Sequence, residues 1–442
     1  MIAERLSPSP VSIRARRRIV RRLMPYLFFI YVIAYLDRVN VGFAALGMTG
    51  DLGFAPHVVG TGGGIFFLGY FLLEIPGTIL VEKWSARGWI ARVMITWGIL
   101  AILTGFIHTT TQFYWIRFLL GAAEAGFFPG IIVYLTHWFR YEDRAKAVAM
   151  FMAAIPISQV VGAPVSGALL KLNWMGLAGW RWLFILEGAP AVIFGVVTIF
   201  YLTDWPHQAR WLADDERDWI ISELEIEKQQ KQVHQHQNIL KSLGQPAVLT
   251  LALAYFFIVT SNYGLIFWLP TMLKKLSGLT NFQVGLISAL PYCAGLGAML
   301  IVGWSSDRTR ERRWHTALPM MIAALGLFLA ALTQNSAPMT VAVLCVAAMG
   351  INSYLPGFWA LPTAFLTGTA AAASIGLINS IGNLGGFAGP YIVGRLVEAT
   401  GSFFGGVIYL SMSALMAALL ILALRRVSAN PKPSKGSEPA RP

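Results

Sequence analysis

Twelve apolar stretches of about 20 residues run through this 442-residue chain, and they constrain its fold more than any other feature. A helix of about 20 apolar residues crosses the hydrocarbon core of a bilayer, which is about 30 Å thick. Only 12% of the residues are charged, too few to cover a soluble protein of this size. The sequence therefore predicts an all-α membrane protein with twelve transmembrane helices. Their approximate limits are 24–46, 58–81, 89–108, 112–138, 146–170, 182–203, 247–272, 283–304, 315–334, 338–360, 367–394 and 402–424.

Basic residues are distributed unevenly between the two sides of these predicted spans. One side carries 22 of the 34 Lys and Arg residues, and the other carries five. Cytoplasmic loops of membrane proteins are enriched in Lys and Arg. The sequence thus predicts a multi-pass protein with both termini in the cytoplasm. The net charge of +13 then reflects topology in a lipid bilayer and requires no nucleic-acid partner.

One long polar segment divides the chain into two sets of six spans. The predicted domains are an N-terminal six-helix bundle (1–203), a cytoplasmic central loop (204–246), a C-terminal six-helix bundle (247–426) and a disordered cytoplasmic tail (427–442). The loop has an acidic, helix-like part followed by residues rich in Lys, Gln and His. His234 and His236 could bind a metal, but no carboxylate or cysteine cluster accompanies them, so a solvated linker is favoured and no metal site is predicted.

The two halves repeat a short charged motif at an offset of 225 residues. Glu82, Lys83 and Arg87 follow the second span, and the matching residues after the eighth span are Asp307, Arg308 and Arg312. Transporter folds commonly contain such weak internal symmetry. The motif and the six-plus-six arrangement resemble the major facilitator superfamily of secondary transporters, and we predict a conformational gating role for these six residues. The second copy keeps the family's glycine as Gly303, whereas the first has Thr78.

Further motifs resemble the anion:cation symporter family more narrowly. They are Tyr35-Leu-Asp37-Arg38-Val-Asn40, Arg117-x-x-x-Gly121-x-x-Glu124-Ala-Gly-x-x-Pro129, Trp138-Phe139 and Asn379-Ser-Ile-Gly-Asn383-Leu-Gly-Gly-Phe-x-Gly-Pro390. Within that family, the segments 151–158 and 359–362 are similar to the tartrate, phthalate and hydroxyphenylacetate carriers. The resemblance implies a carrier in the bacterial cytoplasmic (inner) membrane, and a monomer is expected because it suffices for the mechanism. It would use the proton gradient as its energy source and no cofactor.

Ionisable groups within spans need an explanation, because each costs about 2.5–3.5 kcal/mol on insertion scales. Neighbouring helical residues point about 100° apart, so Asp37 and Arg38 face different surroundings. Arg38 shares a helical face with Tyr31 and Tyr35, and its planar guanidinium could bind a carboxylate there. Arg117 and Glu124 lie two turns apart on one face of span 4, where both could line one cavity. Glu74, within span 2, is interpreted as structural or gating.

The resemblance implies that Asp37 and Glu124 carry protons and that Arg38 and Arg117 bind the substrate anion. A purely structural alternative is that these four residues form ion pairs that only lock helices 1 and 4. The repeat places Asn262 and Tyr263 opposite Asp37 and Arg38, and it places Ala342 and Met349 opposite Arg117 and Glu124. All four charged residues lie in the N-terminal half. This one-sided placement favours a division in which one half couples transport and the other shapes the substrate site, over a purely structural lock.

The predicted substrate contacts are otherwise neutral. They are Tyr35, Asn262, Tyr263, Tyr354, Asn379 and Asn383. Such groups also serve helix packing, so both interpretations stay open for the asparagines. Sugar-acid carriers of the family have a glutamine in span 5 where this chain has Ile155, and Gln159 lies one turn later. This departure disfavours a sugar acid relative to a smaller or more apolar carboxylate.

The sequence thus predicts a proton-coupled symporter that imports a small organic carboxylate, such as a tartrate-like diacid, an aromatic acid or a sugar acid. One alternative is a uniporter or exporter of an uncharged or other small metabolite. An integral-membrane enzyme is disfavoured because the seven His residues are scattered and no nucleophile–base set is recognisable. A receptor would need a sensing domain that the sequence does not indicate.

Overall fold

The computed structural model describes residues 9–83, 85–232, 243–365 and 368–424, and these are helical with no strand among them. Helices of the first half and the central segment are α1 (Pro10–Leu52), α2 (Pro56–Lys83), α3 (Ala86–Thr104), α4 (Thr110–Glu124), α5 (Phe127–Trp138), α6 (Tyr141–Met152), α7 (Ala154–Leu169), α8 (Gly179–Tyr201) and α9 (Asp214–Gln232). Helices of the second half are α10 (Pro246–Ser277), α11 (Asn281–Thr309), α12 (Trp314–Leu332), α13 (Ala337–Phe365), α14 (Gly368–Asn383), α15 (Gly385–Thr400) and α16 (Phe404–Ala423).

Eleven segments among the described residues are long and apolar enough to cross a membrane. The remaining predicted span, 367–394, is formed by α14 and α15, which have 16 residues each and meet at Leu384. With this interrupted span, the described helices account for all twelve predicted spans. The predicted all-α membrane fold is confirmed.

Spans 4 and 5 are also interrupted. The local sequence explains where the break in span 4 lies. Gly126 has a φ of 80°, a left-handed conformation that glycine adopts readily and that ends a helix. Pro129 has no N–H with which to continue the helical ladder to Ala125. Trp89 Nε1 donates to the carbonyl of Gly126 over 3.2 Å, and this carbonyl also accepts from the backbone N–H of Gly130 over 2.9 Å. Glu124 is consequently the last residue of α4 and lies directly at the break.

The two halves pack through glycines that allow their backbones to approach closely. A Cβ on Gly60 of α2 would lie 2.5 Å from the carbonyl oxygen of Pro390 in α15. A Cβ on Gly285 of α11 would lie 2.5 Å from the carbonyl oxygen of Ala163 in α7. His57 and Glu398 join α2 to α15 over 2.6 Å. These contacts all lie toward the predicted extracellular ends of their helices.

Helices inside the first half also approach each other closely, and Gly121 provides a test of this packing. A Cβ there would lie 1.8 Å from the carbonyl oxygen of Phe66, so α4 and α2 would have to separate. We expect Gly121→Ala to destabilise the fold by about 1–3 kcal/mol, as other overpacking changes do. Thermal unfolding in detergent measures the effect.

The matched control for this prediction is Gly297→Ala in α11. A Cβ at Gly297 would meet nothing within 4 Å. We expect that variant to be neutral or more stable, by up to about 1 kcal/mol from helix propensity. Equal melting temperatures for the two variants would contradict the assigned packing role of Gly121.

The acidic part of the central segment forms α9 and is bound to the first half by ion pairs. Arg18 of α1 lies 2.7 Å from Glu216, whose side chain is buried. Arg140 lies 3.0 Å from Glu223, and Arg144 lies 3.1 Å from Glu227. This part of the segment is therefore docked on the bundle. His234, His236 and the predicted tail (427–442) lie outside the described residues.

Candidate functional site

A central cavity lies between the two halves, with a free volume of about 70 Å³. Each water occupies about 30 Å³ in the liquid, so a space of this size holds about two waters. The cavity is lined by Tyr31, Tyr35, Arg38, Tyr70, Phe128, Met152, Ile155, Gln159, Tyr255, Val259, Asn262, Tyr263, Ile351, Asn352, Tyr354, Leu355, Trp359, Asn379 and Asn383. Both halves contribute, and the lining combines one cation with phenols, amides and apolar groups.

Arg38 is the charged residue of this lining. Its Nε donates to Glu124 Oε1 over 2.8 Å, its Nη2 also reaches that oxygen, and its Nη1 donates to the Tyr263 hydroxyl over 2.9 Å. The guanidinium carbon lies 5.0 Å from the ring centroid of Tyr35 and 5.4 Å from that of Tyr70. The arginine is thus held by both halves, and aromatic rings surround its charge.

Glu124 joins α4 to α1 through this ion pair. Its side chain is 2% exposed, whereas that of Arg38 is 13% exposed, so the cation is the partner nearer the cavity. The second carboxylate oxygen of Glu124 is buried and has no hydrogen-bond partner among the described residues. A buried ion pair is sensitive to any change that leaves one charge alone.

Asp37 and Arg117, the other two charged residues of the predicted site, lie outside the cavity lining. Asp37 is buried and accepts hydrogen bonds from Asn40 Nδ2 and Trp97 Nε1, each over 3.0 Å. Arg117 is buried, and its Nε donates to the Gly62 carbonyl over 3.2 Å. Its Nη1 is buried and has no hydrogen-bond partner among the described residues. The structure therefore brings Arg38 and Glu124 together, whereas Asp37 and Arg117 do not line the cavity.

The predicted neutral contacts all line the cavity. Tyr35 comes from the first half, and the others from the second are Asn262, Tyr263, Tyr354, Asn379 and Asn383. Asn379 additionally donates to Glu74 of α2, and the Ser380 hydroxyl donates to the same carboxylate over 3.1 Å. Glu74 therefore connects the two halves beside the cavity.

Sequence reasoning did not assign several cavity residues to the site. Gln159 lines the cavity, and its buried Oε1 has no hydrogen-bond partner among the described residues. Its spacing of one turn from Ile155, which also lines the cavity, is the signal that could have included it. Tyr70, Tyr255 and Asn352 are further lining residues, and nothing in their local sequence distinguishes them from packing residues.

The predicted gating residues lie outside the cavity lining, at the adjoining ends of α2 and α3 and between the end of α11 and the start of α12. Arg87 lies 3.7 Å from Asp204, and its backbone N–H donates to the same carboxylate over 2.8 Å. Arg312 lies 2.7 Å from Asp307, and the Arg308 guanidinium lies over the ring of Trp304. The side chains of Glu82 and Lys83 lie outside the described residues.

No group of three or more His, Cys, Asp and Glu side chains could hold a metal ion within the described ranges.

Comparison with known proteins adds to this geometry. The family described as Major Facilitator Superfamily matches residues 27–390. The chain is 47% identical to the "Putative tartrate transporter" of Agrobacterium vitis, over 95% of this chain and 96% of that protein. It is 40% identical to the "Quinolone resistance transporter" of Acinetobacter baumannii, over 91% of this chain and 93% of that protein. The solved structure of a D-xylose-proton symporter has a TM-score of 0.73 at 12% identity, covering 91% of this chain and 97% of that one.

The fold and the central cavity define a class of protein, the multi-pass membrane transporters of small molecules. Within this class, the chain belongs to the major facilitator superfamily, because the family match covers most of its length. Its family and the names of its relatives assign it to transport and not to enzyme catalysis. The resemblance to the anion-transporting branch agrees with the tartrate-named relatives from Agrobacterium vitis.

Proposed function

We propose that this transporter is a proton-coupled symporter that imports a small organic carboxylate by alternating access. The observation that carries the proposal is the placement of Arg38, which faces the cavity while its guanidinium is bound by Glu124. A guanidinium is a favourable partner for a carboxylate because its planar fork can donate to both oxygens. The substrate anion and Glu124 would therefore compete for one cation.

This competition links the binding of the anion to the binding of a proton. Ionised Glu124 holds Arg38, so an incoming carboxylate would have to displace it or share the cation. A proton on Glu124 removes the negative charge and frees the guanidinium for the substrate. Proton and anion then bind with positive cooperativity, and this linkage is reciprocal. A carrier that changes conformation readily only when both are bound, or when neither is, performs symport.

Asp37 and Arg117 are also part of this proposal, although neither residue lines the cavity. Asp37 is the second proposed proton site, and Arg117 is the second proposed anion site. The free Nη1 of Arg117 supports a role beyond packing, because a buried donor without a partner is costly. The residues of the repeated charged motif stay proposed as gating residues: Glu82, Lys83, Arg87, Asp307, Arg308 and Arg312.

A diacid that carries hydroxyl groups, such as tartrate, is the first substrate to test. The lining offers amides and phenols that can bind hydroxyl groups and a second carboxylate. The tartrate-named relatives support the same choice. An aromatic acid or a sugar acid remains within the proposed class. The presence of Gln159 in the cavity weakens the argument against sugar acids.

The remaining parts of the proposal concern energy and location. The proton gradient supplies the energy, with no cofactor. One chain encloses one cavity, so a monomer is sufficient for transport. We place the protein in the bacterial inner membrane with both termini in the cytoplasm, following the positive-inside rule.

Uptake by proteoliposomes tests the proposed function. Reconstituted protein should accumulate labelled tartrate when the outside is more acidic than the lumen, and a protonophore should remove the accumulation. Vesicles with no pH difference should reach only equal concentrations on both sides. Accumulation that persists without the proton gradient would contradict the coupling. Failure with every carboxylate class would contradict the substrate assignment.

A uniporter or exporter of another small metabolite is the second candidate function. The relative named a quinolone resistance transporter favours it, because resistance implies removal of a compound from the cell. In that case Arg38 and Arg117 would be structural. Retention of transport in an Arg38 variant that is folded would support this second candidate.

Because Gln159 lines the cavity, we expect it to contribute to selectivity for substrates that carry hydroxyl groups. Its free amide oxygen can accept a hydrogen bond from a substrate hydroxyl, which leucine of similar size cannot do. We expect Gln159→Leu to raise the KM for tartrate about tenfold, as loss of one hydrogen bond of about 1–1.5 kcal/mol does. The KM for succinate, which has no hydroxyl groups, should change little. Equal changes for both acids would contradict this role.

A further inference from the structure

A basic groove lies on the predicted cytoplasmic side, where the first turns of α1 meet the end of α8 and the segment before α9. Its volume is about 470 Å³. Five arginines between residues 14 and 22 of α1 line it together with Tyr201, Trp211 and Glu216. The groove is separate from the central cavity and shares no lining residue with it.

The acidic helix α9 neutralises only part of this charge. Arg14 lies 2.5 Å from Asp215, and Arg18 lies 2.7 Å from Glu216. Arg17 and Arg21 are exposed and make no ion pair among the described residues. The groove therefore presents positive charge that the protein itself leaves unmatched.

Aromatic rings form the floor of the groove beneath Arg22. Its guanidinium carbon lies 4.8 Å from the ring centroid of Tyr201 and 5.1 Å from that of Trp211. The Nε of Arg22 is buried and has no hydrogen-bond partner among the described residues. These rings orient the guanidinium and leave donors available to an anion.

The groove lies at the cytoplasmic boundary of the bilayer as the predicted spans place it. Arg22 immediately precedes the predicted first span (24–46), and Tyr201 is the last residue of α8. The Tyr201 hydroxyl donates to the carbonyl of Arg22 over 3.0 Å, which fixes the two helix ends together. Next to it, Phe200 is 82% exposed and presents apolar surface beside the groove. Tyrosine and tryptophan are enriched at this depth of a membrane.

We propose that this groove binds the phosphate group of an anionic membrane lipid. Unpaired Arg17 and Arg21 would hold the phosphate oxygens, with Arg22 at the floor, and the acyl chains would extend past Phe200 into the bilayer. A topology signal alone explains the number of arginines on this side. It does not explain a groove with an aromatic floor, nor arginines that stay unpaired close to an acidic helix.

Lipid titration of the full-length protein in detergent, followed by native mass spectrometry, tests the proposal. Wild type should bind phosphatidylglycerol more tightly than zwitterionic phosphatidylethanolamine. The double variant R17Q/R21Q should bind phosphatidylglycerol about 25-fold more weakly, because each basic group near a membrane surface contributes about fivefold. Its affinity for phosphatidylethanolamine should not change.

The matched control is R210Q/R310Q, which removes two exposed arginines that make no ion pair among the described residues and do not line the groove. This control should keep wild-type affinity for phosphatidylglycerol. Equal weakening in both double variants, or in neither, would overturn the site. Displacement of phosphatidylglycerol from wild type by millimolar inorganic phosphate would assign the groove to free phosphate and overturn the lipid as its ligand. Unchanged melting temperatures show that the variants are folded.

Discussion

Replacing Arg38 with glutamine is expected to reduce carboxylate uptake about 100-fold or more. The guanidinium is the charged group of the cavity lining, and hydrogen bonds to charged groups are worth about 1.5–3 kcal/mol each. Loss of a bidentate pair therefore exceeds the about 2.7 kcal/mol that corresponds to 100-fold. Counterflow of labelled tartrate in proteoliposomes measures transport, and calorimetry of the purified protein measures binding. Arg38→Lys should recover only part of the affinity, because an ammonium group cannot form the planar fork.

A folding defect must be separated from this effect on binding. Arg38→Gln leaves the buried carboxylate of Glu124 without its cation, which can cost about 3–5 kcal/mol. The double variant Arg38→Gln/Glu124→Gln removes both charges and should recover thermal stability without recovering uptake. Normal tartrate uptake by the double variant would show that the ion pair only locks α1 to α4.

Replacing Glu124 with glutamine is expected to remove accumulation driven by the proton gradient while sparing exchange. Glutamine keeps an oxygen that can accept from Arg38, but it cannot take up or release a proton. Internal and external substrate concentrations should then approach equality in the presence of a pH gradient. Counterflow should continue at a rate close to that of wild type and should become independent of pH.

Glu187→Gln is the matched control for this experiment. Glu187 is another of the buried acids of the first half, in α8, where it accepts a hydrogen bond from the Ser166 hydroxyl over 2.9 Å. It does not line the cavity and makes no ion pair with Arg38. We expect this variant to keep gradient-driven accumulation. Coupling that survives in Glu124→Gln, or that is lost equally in Glu187→Gln, would contradict the role proposed for Glu124.

Helical periodicity anticipated the faces of single helices. Tyr31, Tyr35 and Arg38 recur at spacings of four and three residues, and the structure places all three in the cavity lining. Asp37 differs from Arg38 by about 100° on the same helix, and it points to Trp97 in α3 instead. The periodicity predicted their divergence, but it did not indicate which of the two would face the cavity.

Contacts between distant segments were less accessible to sequence reasoning. Arg38 and Glu124 are 86 positions apart, and Arg38 and Tyr263 are 225 apart. Glu124 is the last residue of α4, and the position of the residues after it depends on the break at Gly126. Arg117 shares a helical face with Glu124, yet α2 covers it, and its Nε contacts the Gly62 carbonyl.

The sequence by itself determined the membrane fold and the helical faces on which charged residues lie, and it predicts the division into two halves and the orientation of the spans. These properties follow from apolar length, from the placement of Lys and Arg and from the 3.6-residue repeat, all of which are local. Only the tertiary structure decided which face meets the cavity, which carboxylate pairs with Arg38, and that Glu74 and Asn379 connect the halves. Those outcomes depend on how each helix is rotated against its neighbours, and close contacts between glycines and facing backbones restrict that rotation.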